Sequence, residues 1–258
     1  MTTAQIVLIG LFIYLGSIGS IVGNTIGWYT LGRPLVASFV VGCILGNVPA
    51  AMAVGIPLQI MYMGNVTPGG AVAWDLSYAT YIGTAGALIF GKGMGTTELI
   101  GLAVVFAGVG GFVGQLMWNI SYALNLPLNR VANKLAEAGE TKKMFIPNVV
   151  LGQLIGFFCR FIPAVIVLTS MTVASAQTDF ISIPGWLSTA LGVFGGMMAA
   201  LGMGIILSFL YKKQYHFVVF LAGFILVTYF KLSIMAVAVI SVITAVLYFV
   251  AASKKEVS

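Results

Sequence analysis

Charge is what this chain has least of. Only 7% of its residues are Asp, Glu, Lys or Arg, against about a quarter in an ordinary soluble domain. A chain so poor in charge lacks the polar surface to face water on every side. Histidine occurs once, at His216, and the two cysteines, Cys43 and Cys159, stand alone in apolar runs. These absences remove a histidine-pair zinc site, a Cys/His cluster and a disulfide framework. There is also no phosphate-cradling loop with its lysine and no Ser/His/Asp set. Gly91-Lys92-Gly93-Met94-Gly95 shares only the composition of such a loop. No catalytic residue, metal or other cofactor is expected.

What is present is apolar: 60% hydrophobic residues, 32 glycines and a mean hydropathy of +1.09. The apolar runs are continuous, as over residues 237–252. Alternation of apolar and polar residues would mark a transmembrane β-barrel, so continuity selects helices. The fold class expected is all-α: a polytopic membrane bundle with broken or re-entrant helices in its N-terminal half. The excess of basic over acidic residues, 12 against 6, is spread over segment ends. That is the mark of membrane topology and not of nucleic-acid binding. No basic stretch precedes the first apolar run, so no removable signal peptide is expected.

The chain is expected to be one membrane-embedded domain in three stretches: a broken-helix half over residues 1–126, a connecting loop over 127–146 and C-terminal helices over 147–258. The loop carries Arg130, Lys134, Lys142 and Lys143, and the positive-inside rule places it in the cytoplasm. Two crossings later Lys212 and Lys213 fall on the same side. A short hairpin with Lys231 at its tip returns Lys254 and Lys255 there too, while the polar break at 177–182 falls outside. Leu128, Val131, Ala132 and Leu135 recur at helical spacing opposite Arg130, Asn133, Lys134 and Glu137, as in an interfacial helix or a solvated connector.

The first half is interrupted. Five glycines break residues 3–31, Arg33-Pro34 opens a new segment, and Pro49 and Pro57 interrupt residues 35–63. Residues 64–75 are polar and flexible, and 78–90 is short for a crossing. Irregular backbone survives inside a bilayer only when buried in protein or lining a cavity, and transporters build substrate sites from such broken helices. The expected site therefore falls at residues 58–84. Asp75 leads it, because an ionisable group inside a membrane is costly and a carboxylate accepts several hydrogen bonds. Gln59, Asn65 and Thr67 join it as groups that bind polyols, with Arg160 as an accessory. A buried ion pair of Asp75 with Arg160 or Lys231 is the structural alternative. Gly-x-x-x-Gly spacings at 23/27, 42/46, 110/114, 152/156 and 192/196 signal tight helix packing.

Gly32-Arg33-Pro34-Leu35-Val36-Ala37, Val41-Gly42 and Leu45-Gly46-Asn47 resemble the early part of the mannose–sorbose family of IIC membrane subunits of the bacterial sugar phosphotransferase system. The likeness continues through Gly64 and Gly69-Gly70-Ala71-Val72 to Asp75. It returns at Arg160-Phe161-Ile162-Pro163-Ala164-Val165-Ile166-Val167, Ile183-Pro184, Gly195-Gly196 and Ala222-Gly223-Phe224. The resemblance implies a hexose or amino-sugar permease of the inner membrane. It also implies a IID membrane partner, trimers of IIC–IID pairs, soluble IIA and IIB phosphocarriers, and a core that slides against a scaffold. Asp75 matches the family's acid after the glycine pair. Gln59 and Thr67 depart from the mannose type, which carries glutamate and asparagine there, and Lys212, Gln214 and Tyr215 look closer to the N-acetylgalactosamine or galactosamine branch. Outside this resemblance stand an ion- or proton-coupled transporter using Asp75 and Glu98, and a non-transporting receptor or scaffold.

Overall fold

The protein is described by a computed structural model, which covers residues 1–63, 74–177, 185–211 and 214–255. Every regular element among these residues is helical. The chain divides into two compact units, residues 1–205 and 206–258.

The first unit opens with α1, Thr3–Leu15, held by a capping box in which Thr2 and Gln5 exchange side-chain and backbone hydrogen bonds. After α1 the backbone turns through Gly19 and Gly23, both at positive φ, into the single turn α2, Gly23–Ile26, and a π-helical turn, Gly27–Leu31. Pro34 then starts α3, Pro34–Leu45, at the first position, where a missing N–H costs nothing. Residues 23–31 and α3 meet at 77°, the interruption expected at Arg33-Pro34. Gly46, left-handed at φ 76°, closes α3, and Asn47 caps α4, Val48–Tyr62, by accepting from Ala50 N. The apolar run 35–63 is thus a tight helical hairpin, its strands of packing set by Gly42 against Ala51 and Gly55 against Ser38.

Helix α5, Leu76–Phe90, is the axis of the unit: Leu76 to Ala87 are all buried. It lies along α6, Thr96–Glu137, through small residues: Gly83 meets Ala107, Gly110 meets the Tyr78 carbonyl and Gly114 meets Asp75 and Tyr78. The 110/114 spacing therefore packs as read from the sequence. Gly156 of the 152/156 spacing faces open space. A π-helical stretch, Ile146–Leu151, leads into α7, Gly152–Gln177. Helix α7 runs antiparallel to α1, with Gly10 against Phe161 and Val165 and Tyr14 Oη donating to Gln153 Oε1 at 2.8 Å.

The segment read as an amphipathic connector is continuous with α6, which passes Pro127 without ending and stops at Glu137. Ala132 is buried, while Arg130, Val131 and Lys134 are exposed. At 42 residues α6 is about 60 Å long, twice the hydrocarbon thickness. It therefore both crosses the membrane and emerges from it. Thr96–Glu137 and Ile146–Ala176 are each long and apolar enough to span, and the bent pair 23–31 plus 34–45 qualifies as one broken span.

Helix α8, Gly185–Leu210, meets the end of α4, where Gly202 lies against the Ile60 backbone. In the second unit α9, Gln214–Thr228, and α10, Ile234–Lys255, form a hairpin. Lys231, at φ 56°, makes its tip, and the Leu232 amide donates to the Leu226 carbonyl at 3.2 Å.

Candidate functional site

Helices α1, α3, α4 and α5 have 13, 12, 15 and 15 residues. Each is about 18–22 Å long, too short to cross 30 Å of hydrocarbon. Their ends meet in one tier. Ser77 Oγ donates to the Gly16 carbonyl at 2.5 Å, and Tyr81 Oη donates to the Leu31 carbonyl at 3.1 Å. Gly16 lies against the Gly32 backbone, a contact that any side chain at either position would block. The Leu35 amide, left over at the start of α3, donates to Gln59 Oε1 from the end of α4 at 3.3 Å. Helix α6 passes this tier at Gly114, about 27 Å from its start, and continues well beyond it. The tier thus falls within the length of the spanning helices and not at their ends.

Asp75 is the hinge of the tier. It is the N-cap of α5, its Oδ1 accepting from Tyr78 N at 3.1 Å. Its Oδ2 forms an ion pair with Arg160 Nη1 of α7. Asp75 is 1% exposed and Arg160 3%. Tyr78 Oη donates to the Arg160 carbonyl, so α5 grips α7 twice. The Arg160 guanidinium also lies over the Trp118 ring of α6, 4.8 Å from its centroid. Three helices therefore converge on one buried cation. Such a charge is tolerable in low dielectric only when paired and hydrogen-bonded.

Next to Gly32, Arg33 lies over Trp28 at 5.9 Å and Tyr29 at 5.4 Å, a second cation on aromatic faces. Tyr62, at the end of α4, is buried. Of the residues expected at the site, the structure brings Asp75 and Arg160 together and leaves Lys231 at the tip of the second unit's hairpin. It commits Gln59 to the α3 backbone. Asn65 and Thr67 lie outside the described residues, as do Lys212, Lys213 and most of the polar break at 177–182. The ion pair is the structural alternative weighed for Asp75. Trp118 is the aromatic partner of Arg160. Tyr78 falls inside the expected stretch 58–84, and Arg33 and Trp28 lie outside it. Tyr78 adjoins Asp75 in the first turn of α5, whereas only folding brings Trp28 and Arg33 to the tier, across the break between α4 and α5. Among the described residues no three or more His, Cys, Asp or Glu side chains group as metal ligands.

Short helices ending in a buried polar tier, flanked by full-length apolar helices, define a polytopic membrane protein of the transporter class. The family model described as the phosphotransferase system sorbose-specific IIC component matches residues 3–247, and the chain belongs to that family. It is 28% identical over 249 residues to the mannose-specific EIIC component of Escherichia coli strain K12, covering 96% of this chain and 89% of that one. It is 24% identical to the sorbose-specific EIIC component of Klebsiella pneumoniae (96% and 89% covered). To the N-acetylgalactosamine permease IIC component 1 of Escherichia coli strain K12 it is 23% identical (88% and 82%). Among solved structures, a membrane protein superposes with a TM-score of 0.77 at 26% identity, with 96% of both chains covered. The mannose transporter ManYZ, solved with microcin E492, superposes at 0.54 and 27%, again with 96% of both chains covered. The chain is accordingly a IIC sugar permease component of a bacterial inner membrane, working with other phosphotransferase components. Nothing in these likenesses supports an ion- or proton-coupled carrier.

Proposed function

We propose that this chain binds a hexose or amino sugar at the polar tier and carries it across the membrane, for phosphorylation by a IIB unit charged by IIA. A IID membrane subunit completes the permease, in trimers of IIC–IID pairs. Lipid surrounds the apolar helices, and nucleic acid has no part. The relatives named for mannose, sorbose and N-acetylgalactosamine support a sugar of this size. Asp75, Gln59, Asn65 and Thr67 form the substrate side, with Arg160 as the accessory cation.

The observation that carries this reading is the Asp75–Arg160 pair. A buried ion pair contributes little net stability compared with an apolar packing of the same volume. Its presence where ends of α1, α3, α4 and α5 come together is better explained by a demand for polar groups there. A second reading has its own support: both Asp75 oxygens are committed and the residue is 1% exposed, as in a brace between α5 and α7.

One preparation separates them. In the IIC–IID complex, Asp75→Asn and Gln59→Leu are measured for yield, thermal stability and equilibrium sugar binding. The site reading expects roughly a tenfold to hundredfold loss of affinity in whatever complex survives. Ordinary affinity in a destabilised complex leaves Asp75 a brace. The cytoplasmic placement of residues 129–143, Lys212/Lys213 and the C-terminus is tested by cysteines at Lys142 and Lys254. Labelling of either by an impermeant reagent in right-side-out cells overturns it.

A further inference from the structure

Arg160 donates from Nη1 to Asp75, but its Nη2 has no hydrogen-bond partner although it is buried. Gln115 Oε1 on α6 is likewise buried without a partner. The first is a donor lacking an acceptor and the second an acceptor lacking a donor. A buried polar atom left unpaired is costly; Thr80 Oγ1 of α5 is a third such atom, but only the arginine and the amide are a donor and an acceptor that one ligand group could satisfy together.

The helix geometry puts them in one neighbourhood. Gln115 follows Gly114, the residue that lets α6 close onto Asp75 and Tyr78. At 3.6 residues per turn, Gln115 stands about 40° from Gly111 and about 60° from Trp118 around α6. Gly111 is packed by Trp74, and Trp118 carries the Arg160 guanidinium. Gln115 is about 100° from Gly114 itself, with Gly111 and Trp118 between them, so it stands at the edge of the α6 face that borders the α5 start and the Arg160 side chain, and the residue itself is partly open.

We propose that Gln115 is a sugar-recognition residue, and that a single substrate hydroxyl bridges it to Arg160. A hydroxyl is a group that donates and accepts at once. It donates to Gln115 Oε1 and accepts from Arg160 Nη2, satisfying both orphans. A carboxylate or phosphate would satisfy the arginine but not the amide oxygen, so the pair selects a neutral polyol over an anion. Trp118 acts through Arg160, holding the guanidinium plane by cation–π contact so that Nη2 is presented; it is a positioning residue. This inference rests on the tier being the sugar site.

The test uses the IIC–IID complex in detergent or membranes. Equilibrium binding is measured for D-mannose, D-fructose, L-sorbose, N-acetyl-D-galactosamine and D-galactosamine, and then for each monodeoxy analogue of the tightest binder. In the unaltered protein one deoxy position should weaken binding about tenfold more than the others. In Gln115→Leu the parent sugar should bind about tenfold more weakly, and the penalty at that position should shrink to about threefold. Gln115→Glu, which keeps the acceptor oxygen, should restore most of the position-specific penalty. A uniform loss for every analogue, or unchanged affinities in Gln115→Leu, overturns the bridge. If Gln115→Leu fails to assemble, the deoxy series on the unaltered protein and Gln115→Glu decide: no discriminating position refutes the proposal. Failure of every sugar to bind the unaltered complex would refute the site reading instead.

Discussion

Helix α5 and the α9–α10 hairpin are both apolar segments of similar kind in sequence, yet they have opposite surroundings. In α5 every residue from Leu76 to Ala87 is buried, including Ser77, Thr80 and Thr84. In the hairpin Val218, Val219, Leu247 and Tyr248 are each more than 60% exposed. Lipid chains are as apolar as leucine, so the hairpin gains little by hiding its side chains from them. The difference teaches where specification resides in a membrane protein. Apolar residues secure insertion almost anywhere, whereas small and polar residues record which helix touches which.

The comparison breaks most severely at the ion pair. Asp75→Asn or Arg160→Met alone leaves a buried group unpaired and should destabilise by about 3–5 kcal/mol, lowering the apparent Tm in detergent by about 10 °C. The double substitution should recover at least half of that loss, a coupling read from the four thermal-melting curves. Equal losses that simply add would show that the pair does not hold α5 to α7.

Next comes helix approach. A methyl group at Gly114 would meet Asp75 and Tyr78, so Gly114→Ala should cost about 1–3 kcal/mol. Gly156→Ala, with open space around it, should leave stability unchanged or raised slightly. Side-by-side melts of the two variants sharpen the contrast between glycines that pack and glycines that merely occur. If Gly156→Ala proved the more damaging, the α5–α6 contact would be misassigned.

A smaller effect is expected at Gln59, whose side chain caps the orphan Leu35 amide. Gln59→Leu should cost about 1 kcal/mol, measured as a shift of a few degrees at most. The least is expected in the hairpin. Val219→Ala and Leu247→Ala should each stay within about 0.5 kcal/mol in the isolated chain. A larger loss that appears only in the assembled IIC–IID complex would mark that face as an interface.

Much of the fold was legible in residue order. Pro34, Gly46 and Asn47 announce where α3 ends and α4 begins because their backbone demands are local. Lys231 between two apolar runs marks the hairpin tip, and Gly110/Gly114 marks a close contact. The connector expected over 127–146 was harder: its basic residues and amphipathic spacing suggest a separate segment, but α6 carries on through Pro127 as far as Glu137. At the site, Asp75 and Arg160 stood out because charge is rare in this chain. Gln115 and Trp118 carried no such mark, being an amide and an indole in an ordinary helical run.

By itself, then, the sequence determined that the chain enters the membrane as helices, where those helices are interrupted and which charges are too costly to be incidental. These are properties of transfer free energy and local backbone preference, which each segment carries alone. Only the tertiary structure decided that Asp75 pairs with Arg160, that Gln59 serves the start of α3, and that Trp118 lies over the same cation. Those pairings span up to 85 residues. They are fixed by which small residues let helices approach, a condition satisfied by the packed whole and by no segment within it.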